Sequence, residues 1–159
     1  MREKMRNKMN NKGFSLVELI VVIAIMAVLI GVLAPTLLGN IEKSRLSKDK
    51  SSADALYQAM VNAAGDPDVK MPTDTGDDKL SVSSTNGTFT IPTVSDDNDF
   101  WKKVTEYLGK KTEIKFESQV YGEGGKGTIK ATVDKITRNV TVEGEGEGLN
   151  DNEKISLGK

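Results

Sequence analysis

Apolar residues are distributed very unevenly along this chain. A dense apolar block fills residues 14–38, and no charged residue occurs from Leu19 to Leu38. A helix needs about 20 apolar residues to span a bilayer. The rest of the chain is polar and rich in Thr, Asp, Gly and Lys. The pattern therefore predicts a hydrophobic helix over residues 14–40 that spans a membrane or fills the core of an assembly. Any globular core must then come from the C-terminal part.

After Asn40 the apolar pattern becomes one-sided. Apolar residues recur at steps of three and four, at Ile41, Leu46, Ala53, Leu56, Met60, Val61 and Ala64. Glu42, Lys43, Arg45, Lys48, Asp49 and Lys50 lie between them and are predicted to form a solvated face. Gly65 is a natural helix C-cap, and Pro67 prevents continuation. The spacing therefore predicts an amphipathic half-helix over residues 41–65, packed on a sheet, with a coiled coil as the alternative.

Residues 66–159 are predicted to form a small globular domain that begins with a loop and a hairpin. Alternating runs around Leu80 and Phe89 flank Asn86 and Gly87, which is the strongest short hairpin signal. A short helix follows, with Asp96, Asp97 and Asp99 as candidate caps. One face of this helix would carry Phe100, Trp101, Val104, Tyr107 and Leu108. We expect Trp101 to be a core residue rather than an adhesive surface residue.

Three further strands are predicted. They are marked by Ile114, Phe116 and Val120, then by Ile129, Ala131 and Val133, and then by Ile136, Val140 and Val142. An antiparallel meander of this kind would cover the apolar stripe of the helix. The Gly- and Glu-rich tail over residues 143–159 is predicted to be mobile. The predicted fold class is α+β, with a long N-terminal helix packed on a small antiparallel sheet.

The amino-acid composition excludes several kinds of catalytic and metal-binding site. The chain has no cysteine and no histidine, so disulfides, thiol metal sites and the usual acid–base catalyst are excluded. No nucleophile–base pair is visible, so we expect neither an enzyme nor a cofactor. Residues 122–127 match a dinucleotide fingerprint, but a strand pattern follows them, so we interpret them as a hairpin loop. The acidic runs at residues 96–99 and 150–153 are weak calcium candidates, since neither has calcium-loop spacing.

The positive charge of the chain is concentrated at its start. Residues 1–13 contain five basic side chains and one acidic side chain, and the remainder is net negative. A basic cluster just before an apolar span holds the N-terminus on the cytoplasmic side of a membrane. The negative remainder offers no direct site for nucleic acid.

Residues 12–25, KGFSLVELIVVIAI, resemble the prepilin signature of type IV pilins and pseudopilins. The resemblance is continuous over about the first 40 residues and is only architectural beyond Gly65. It implies the pilin fold. It also implies that a membrane prepilin peptidase removes residues 1–13 by cutting between Gly13 and Phe14, and then methylates the new amine of Phe14. Glycine before the scissile bond offers no side chain to obstruct the peptidase.

The resemblance also implies roles for residues inside the apolar helix. Glu18 would pair with the Phe14 amine of a neighbouring subunit, which offsets the cost of a charge in hydrocarbon. The alternative is a carboxylate that extends to the lipid interface. Gly31, Pro35 and Gly39 are predicted to interrupt the helix. The interruption would be a static kink or a segment that melts when subunits pack.

The function implied is that of a structural subunit of a type IV pilus, serving adhesion, motility or DNA uptake. Its partners would be further copies of the chain, the prepilin peptidase, a pilus assembly platform and the lipid bilayer. The precursor would cross the cytoplasmic membrane once and then join an extracellular surface filament. The first alternative is a pseudopilin of a type II secretion or competence system. The second is a membrane-anchored enzyme or binding domain.

Overall fold

The computed structural model describes residues 14–71, 78–92 and 99–158. Their order is α1 (Leu16–Gly65), β1 (Lys79–Ser83), β2 (Thr88–Thr90), α2 (Asp99–Tyr107), β3 (Glu113–Lys115), β4 (Gly127–Asp134), β5 (Val140–Gly146) and β6 (Ser156–Leu157). This is the predicted α+β class, a long N-terminal helix with small antiparallel sheets. Contacts divide the chain into two units, Met1–Gly39 and Asn40–Lys159. We call the second unit the head domain.

The helix α1 is continuous through Gly31, Pro35 and Gly39. The helix is therefore not broken at these residues in the single chain, and a static kink at Pro35 is compatible with this continuity and stays a prediction. Proline removes its own N–H, so the carbonyl of Gly31, four residues earlier, lacks its usual donor. The helix continues because one missing bond leaves the bonds on either side intact. Melting of this segment on packing stays a prediction.

The head domain contains two antiparallel sheets. The larger has four strands in the order β1-β4-β5-β6, and the smaller pairs β2 with β3. In the larger sheet Val82 lies opposite Ala131, which in turn lies opposite Val142. Alternate residues of β4 and β5 are buried, namely Ile129, Ala131, Val133, Val140 and Val142. One face of the sheet therefore supplies much of the hydrophobic core, as the period-two pattern predicted.

The predicted hairpin between β1 and β2 is only half right. Asn86 and Gly87 form a tight turn with φ angles of 48° and 74°, and Thr85 bridges to Thr88 across it. The strands on either side then separate, because β1 pairs with β4 and β2 pairs with β3. The Gly87 carbonyl also accepts the Phe116 N–H at 2.8 Å, which ties the turn to the residue that follows β3. The turn thus carries the chain from one sheet to the other.

Both helices bury the expected kind of face, with local differences. In α1 the buried apolar residues are Ala53, Leu56, Ala59, Met60, Ala63 and Ala64. Ile41 and Val61, predicted on this stripe, are 40% and 37% exposed, since the helical period turns Ala59 and Ala63 inward instead. In α2, Trp101 is a core residue as predicted, whereas Tyr107 is half exposed. Asp96 and Asp97, the candidate caps, lie outside the described residues.

The strand predicted to reach Val120 ends at Lys115, and Ile136 lies outside β5. Ile136 sits in a turn because the carboxylate of Asp134 accepts its N–H at 2.9 Å and that of Thr137 at 2.7 Å. The backbone N–H of Thr137 is also the main cause that lowers the pKa of Asp134.

The tail also differs from its expected mobile state. Strand β5 continues to Gly146, and β6 then pairs with it, with Val142 opposite Leu157. The side chain of Ile155 is buried in the core. Part of the Gly-Glu repeat therefore belongs to strand β5. The apolar residues at 155 and 157 then bring the chain back to pair with that strand.

The early end of β3 is explained by a buried acid on α1. Asp49 is fully buried, although the sequence predicted it on the solvated face. Its Oδ1 accepts the backbone N–H of Glu117 at 2.8 Å, and its Oδ2 accepts that of Ser118 at 2.9 Å. The next N–H, that of Gln119, is bound by Glu42. Three successive amides thus face α1, and they cannot continue the β2–β3 ladder.

The segment that follows is packed by Tyr121. This side chain is fully buried, and its hydroxyl donates to the Glu153 carbonyl at 2.7 Å. Burial raises the pKa of Tyr121, so the phenol stays a donor. A Cβ at Gly127 would lie 2.8 Å from the tyrosine ring, and one at Gly144 would overlap the hydroxyl. Since β4 follows directly, residues 122–127 form a packed loop and not a cofactor-binding turn.

We expect a chain starting at Ile41 to fold as a soluble domain. The buried residues of α1 begin at Asp49, so the shortened helix retains every one of them. A matched control starts at Asp54 and lacks Asp49 and Ala53. Circular dichroism should show a cooperative thermal transition for the longer chain and a weaker one, or none, for the control. Aggregation of the longer chain without such a transition would contradict the boundary at Asn40.

Candidate assembly site

The candidate site lies where α1 begins. Ser15 immediately precedes the first helical residue, and Glu18 is the third residue of the helix. The Oε2 atom of Glu18 accepts the backbone N–H of Ser15 at 2.9 Å. A serine followed three positions later by glutamate is a capping box, in which the glutamate satisfies an N–H that the helix leaves unpaired. This use of Glu18 was missed, although its Ser-x-x-Glu spacing is readable from the sequence.

The structure places Phe14 beside this cap and outside the helix. Its side chain is 86% exposed. Gly13 and the rest of the leader lie outside the described residues, so cleavage between Gly13 and Phe14 stays a prediction here. In the uncleaved chain the Phe14 nitrogen is a peptide nitrogen. The amine that Glu18 is predicted to bind arises only when the bond to Gly13 is cut.

The helix beyond the cap exposes a continuous apolar surface. From Leu16 to Leu38 its large apolar side chains are between 43% and 72% exposed. An 18-residue window of α1 has a mean hydropathy of 3.1, and none of that window is buried among the described residues. On a protein surrounded by water, an exposed apolar patch of this size marks a surface that contacts a membrane or another protein. By length and composition this helix is able to cross a membrane.

Glu18 is the only charged side chain between Lys12 and Glu42. A carboxylate in such surroundings is expensive unless a cation or several N–H groups accompany it. The Ser15 N–H supplies one such partner through a single carboxylate oxygen. The site therefore consists of an apolar surface with one acid near its N-terminal end, close in sequence to Phe14, which would carry the new amine after the predicted cleavage.

The sequence predicted no cofactor, and its two weak calcium candidates are acidic runs in the head domain, at residues 96–99 and 150–153. Within the described ranges, no group of three or more His, Cys, Asp or Glu side chains could hold a metal ion. Asp96 and Asp97 of the first calcium candidate lie outside those ranges. In the second candidate, the Asn150 side chain accepts the N–H groups of Asn152 and Glu153, and Asp151 pairs with Lys154 at 2.9 Å. That lysine contact lowers the pKa of Asp151.

We expect added calcium to leave the thermal stability of the head domain unchanged. A ligand that binds only the folded state raises the melting temperature, and Asn150, Asp151 and Glu153 each already have a side-chain oxygen in an internal hydrogen bond. The measurement is a melt of the domain starting at Ile41, with and without millimolar calcium, and magnesium serves as the control ion. A calcium-specific rise that Asp151→Asn removes would overturn this prediction.

Comparison with known proteins agrees with the N-terminal resemblance. Residues 8–34 match a protein-family model described as the prokaryotic N-terminal methylation motif. No curated protein and no solved structure matches the chain. The match covers the predicted cleavage site, the cap and most of the exposed apolar helix, and it does not reach the head domain.

The long apolar helix and the matched motif together define a class, that of membrane-anchored precursors with a type IV prepilin signature. Within that class, the motif at residues 8–34 supports a type IV pilin-like precursor that is processed at its leader. The signature belongs to a structural, pilin-type family and not to an enzyme family, and the expected lack of catalysis stays a prediction. The resemblance to pilins and pseudopilins predicted from residues 12–25 is thereby confirmed.

Proposed function

We propose that this protein is a structural subunit of a type IV pilus, assembled into a surface filament by packing of α1. The observation that carries the proposal is the apolar surface of residues 14–38, which contains Glu18 as its one charge. A helix of this kind needs a bilayer before assembly and other helices after it. The N-terminal methylation motif adds the processing step that connects the two states.

Processing creates the partner that Glu18 lacks. Cleavage after Gly13 releases the Phe14 amine, which carries a positive charge and remains basic when methylated. A neighbouring subunit that presents this amine to Glu18 neutralises both charges inside the apolar core. The pair would also fix the axial register between helices, because only one position along each apolar surface is charged.

The proposed topology follows from charge. The basic leader stays on the cytoplasmic side, where the prepilin peptidase and the assembly platform would act on it. The head domain lies after the apolar span in sequence, and so it would be on the opposite side of the membrane. Extraction of the processed subunit from the bilayer into the filament then exchanges lipid for neighbouring helices around α1.

The experiment is mass spectrometry of fibres sheared from cells, with immunogold microscopy of the same material. We expect the chain to start at Phe14 with a methylated amine and the label to lie along the fibres. In a Gly13→Leu control, a side chain at the scissile bond obstructs cleavage, so the precursor should stay in the membrane at full length. A surface form that retains residues 1–13, or one that begins near Thr36, would contradict the proposal.

The same samples test the alternatives. A processed chain that stays in the membrane fraction and is missing from sheared fibres would favour a pseudopilin of a secretion or competence system. Normal fibres in cells that lack the protein would favour a membrane-anchored enzyme or binding domain.

A further inference from the structure

We infer that the backbone N–H of Ser15 is a positioning group for assembly: it holds Glu18 by one carboxylate oxygen and leaves the other for the Phe14 amine of a neighbouring subunit. This inference rests on the proposed function and deepens it. It concerns how the acid is prepared within its own chain before a neighbour arrives.

The geometry engages one oxygen of the Glu18 carboxylate and leaves the other available. Oε2 of Glu18 accepts the Ser15 N–H at 2.9 Å. Among the described residues, no hydrogen bond or ion pair involves the Oε1 atom. A carboxylate accepts through both oxygens, so the capping bond and an ammonium contact are compatible. The cap need not open for the neighbour's amine to bind.

The capping bond matters because a free glutamate side chain occupies many rotamers. Fixing such a side chain carries an entropic penalty that a binding event must otherwise overcome. In this chain the rotamer entropy of Glu18 is lost when α1 forms, before a neighbour binds, because the capping box orders Glu18 inside the single subunit. Preorganisation of this kind strengthens an association without adding a contact between the partners.

The position of the cap also suits the donor it must meet. Helix α1 begins at Leu16, so Phe14 and Ser15 remain outside it. The amine released at Phe14 is therefore not committed to hydrogen bonds within a helix. Each subunit would offer an ordered acid and, at the same end, an amine free to reach another chain.

The test compares substitutions that remove the N–H, the hydroxyl or the charge separately. Ser15→Pro removes the N–H, and α1 loses no backbone hydrogen bond because the N–H groups at a helix start have no partner within the helix. Ser15→Ala removes only the hydroxyl and is the matched control. Glu18→Gln retains the capping contact and removes the charge. Glu18→Asp retains the charge on a side chain one methylene shorter, which reaches the Ser15 N–H less well.

The readout is a carbodiimide cross-link in fibres, which joins a carboxylate to an amine in direct contact. We count the linked peptide between Phe14 and Glu18 in the dimer band and divide it by the amount of processed chain. Ser15→Ala should equal the wild type, whereas Ser15→Pro and Glu18→Asp should each fall about fivefold, as expected for losing one ordered side chain. Glu18→Gln should give no such cross-link and no fibres.

The outcomes separate the inference from the proposed function. Wild-type cross-linking in both Ser15→Pro and Glu18→Asp would overturn the positioning role and leave the pilus proposal intact. Normal fibres from Glu18→Gln would overturn the charge pairing itself. Because the yield is divided by processed chain, a slower cleavage of Ser15→Pro does not obscure the result.

Discussion

We expect Glu18→Val to leave the precursor inserted and processed but to remove fibres from the cell surface. Insertion should persist because the apolar span gains a residue and loses its one charge. Cleavage should persist because Gly13 and Phe14 are unchanged. Assembly should fail because the neighbour's amine would be buried without a partner, at a cost of about 3 kcal/mol or more for each subunit. The measurement compares processed chain in membranes with chain in sheared fibres.

The capping box makes a second substitution necessary. Glu18→Val removes both the charge and the bond to Ser15, so a loss of fibres alone would not identify the cause. Glu18→Gln keeps the cap and removes only the charge. If Glu18→Gln also lacks fibres, the charge is what assembly requires. Normal fibre yield from Glu18→Val would refute the pairing, and a lower membrane level of processed Glu18→Val would instead indicate a role in folding or targeting.

The second large effect is expected at Asp49. Asp49→Ala would leave unpaired the buried N–H of Ser118 and the partly buried N–H of Glu117. Unpaired buried donors cost about 1–3 kcal/mol each, so the head domain should lose about 3 kcal/mol of stability. For a domain of this size the melting temperature should fall by about 10 °C. The measurement is a thermal melt of the domain that starts at Ile41.

Asp54 provides the matched control for Asp49. It is an acid of the same helix, but its side chain is exposed, so Asp54→Ala should change the melting temperature little. Asp49→Asn keeps one acceptor oxygen and should fall between the alanine variant and the wild type. Equal melting temperatures for Asp49→Ala and Asp54→Ala would show that the buried carboxylate does not anchor the segment after β3.

Local sequence patterns predicted the helices and strands better than they predicted which strands pair with each other. The extent of α1, the burial of Trp101 and the inner face of β4 follow from periodicity that is contained in a few neighbouring residues. The turn at Asn86 and Gly87 was also readable, because its chemistry is local. Pairing of β1 with β4 was not, since it depends on side chains about 50 positions away.

Asp49 shows the same limit for a single side chain. An acid between Lys48 and Lys50 looks solvated, and its two partners are backbone amides 68 and 69 residues further along. Backbone N–H groups leave no trace in residue type. A hint was present in the spacing, because Asp49 lies four residues before Ala53 on the buried face of α1.

The candidate site was readable to a greater degree, because its residues are contiguous. The motif, the glycine before the cut and the lone acid all lie within residues 12–25. The cap between Ser15 and Glu18 is equally local, because its two residues lie three positions apart in the sequence. The neighbour's amine belongs to another chain, and the sequence of one chain does not position it.

The order of strands has a consequence for the time course of folding. Strand β1 can pair only when β4 is present, with Lys79 opposite Asp134, and β2 can pair only when β3 is present. The α1 segment around Asp49 likewise waits for residues 117 and 118. Domains dominated by such distant pairings fold in milliseconds to seconds, since each loop must close before its contacts form. If the head domain crosses the membrane from its α1 end, as the proposed topology requires, β1 emerges unpaired and meets its partner only after β4 has followed it across.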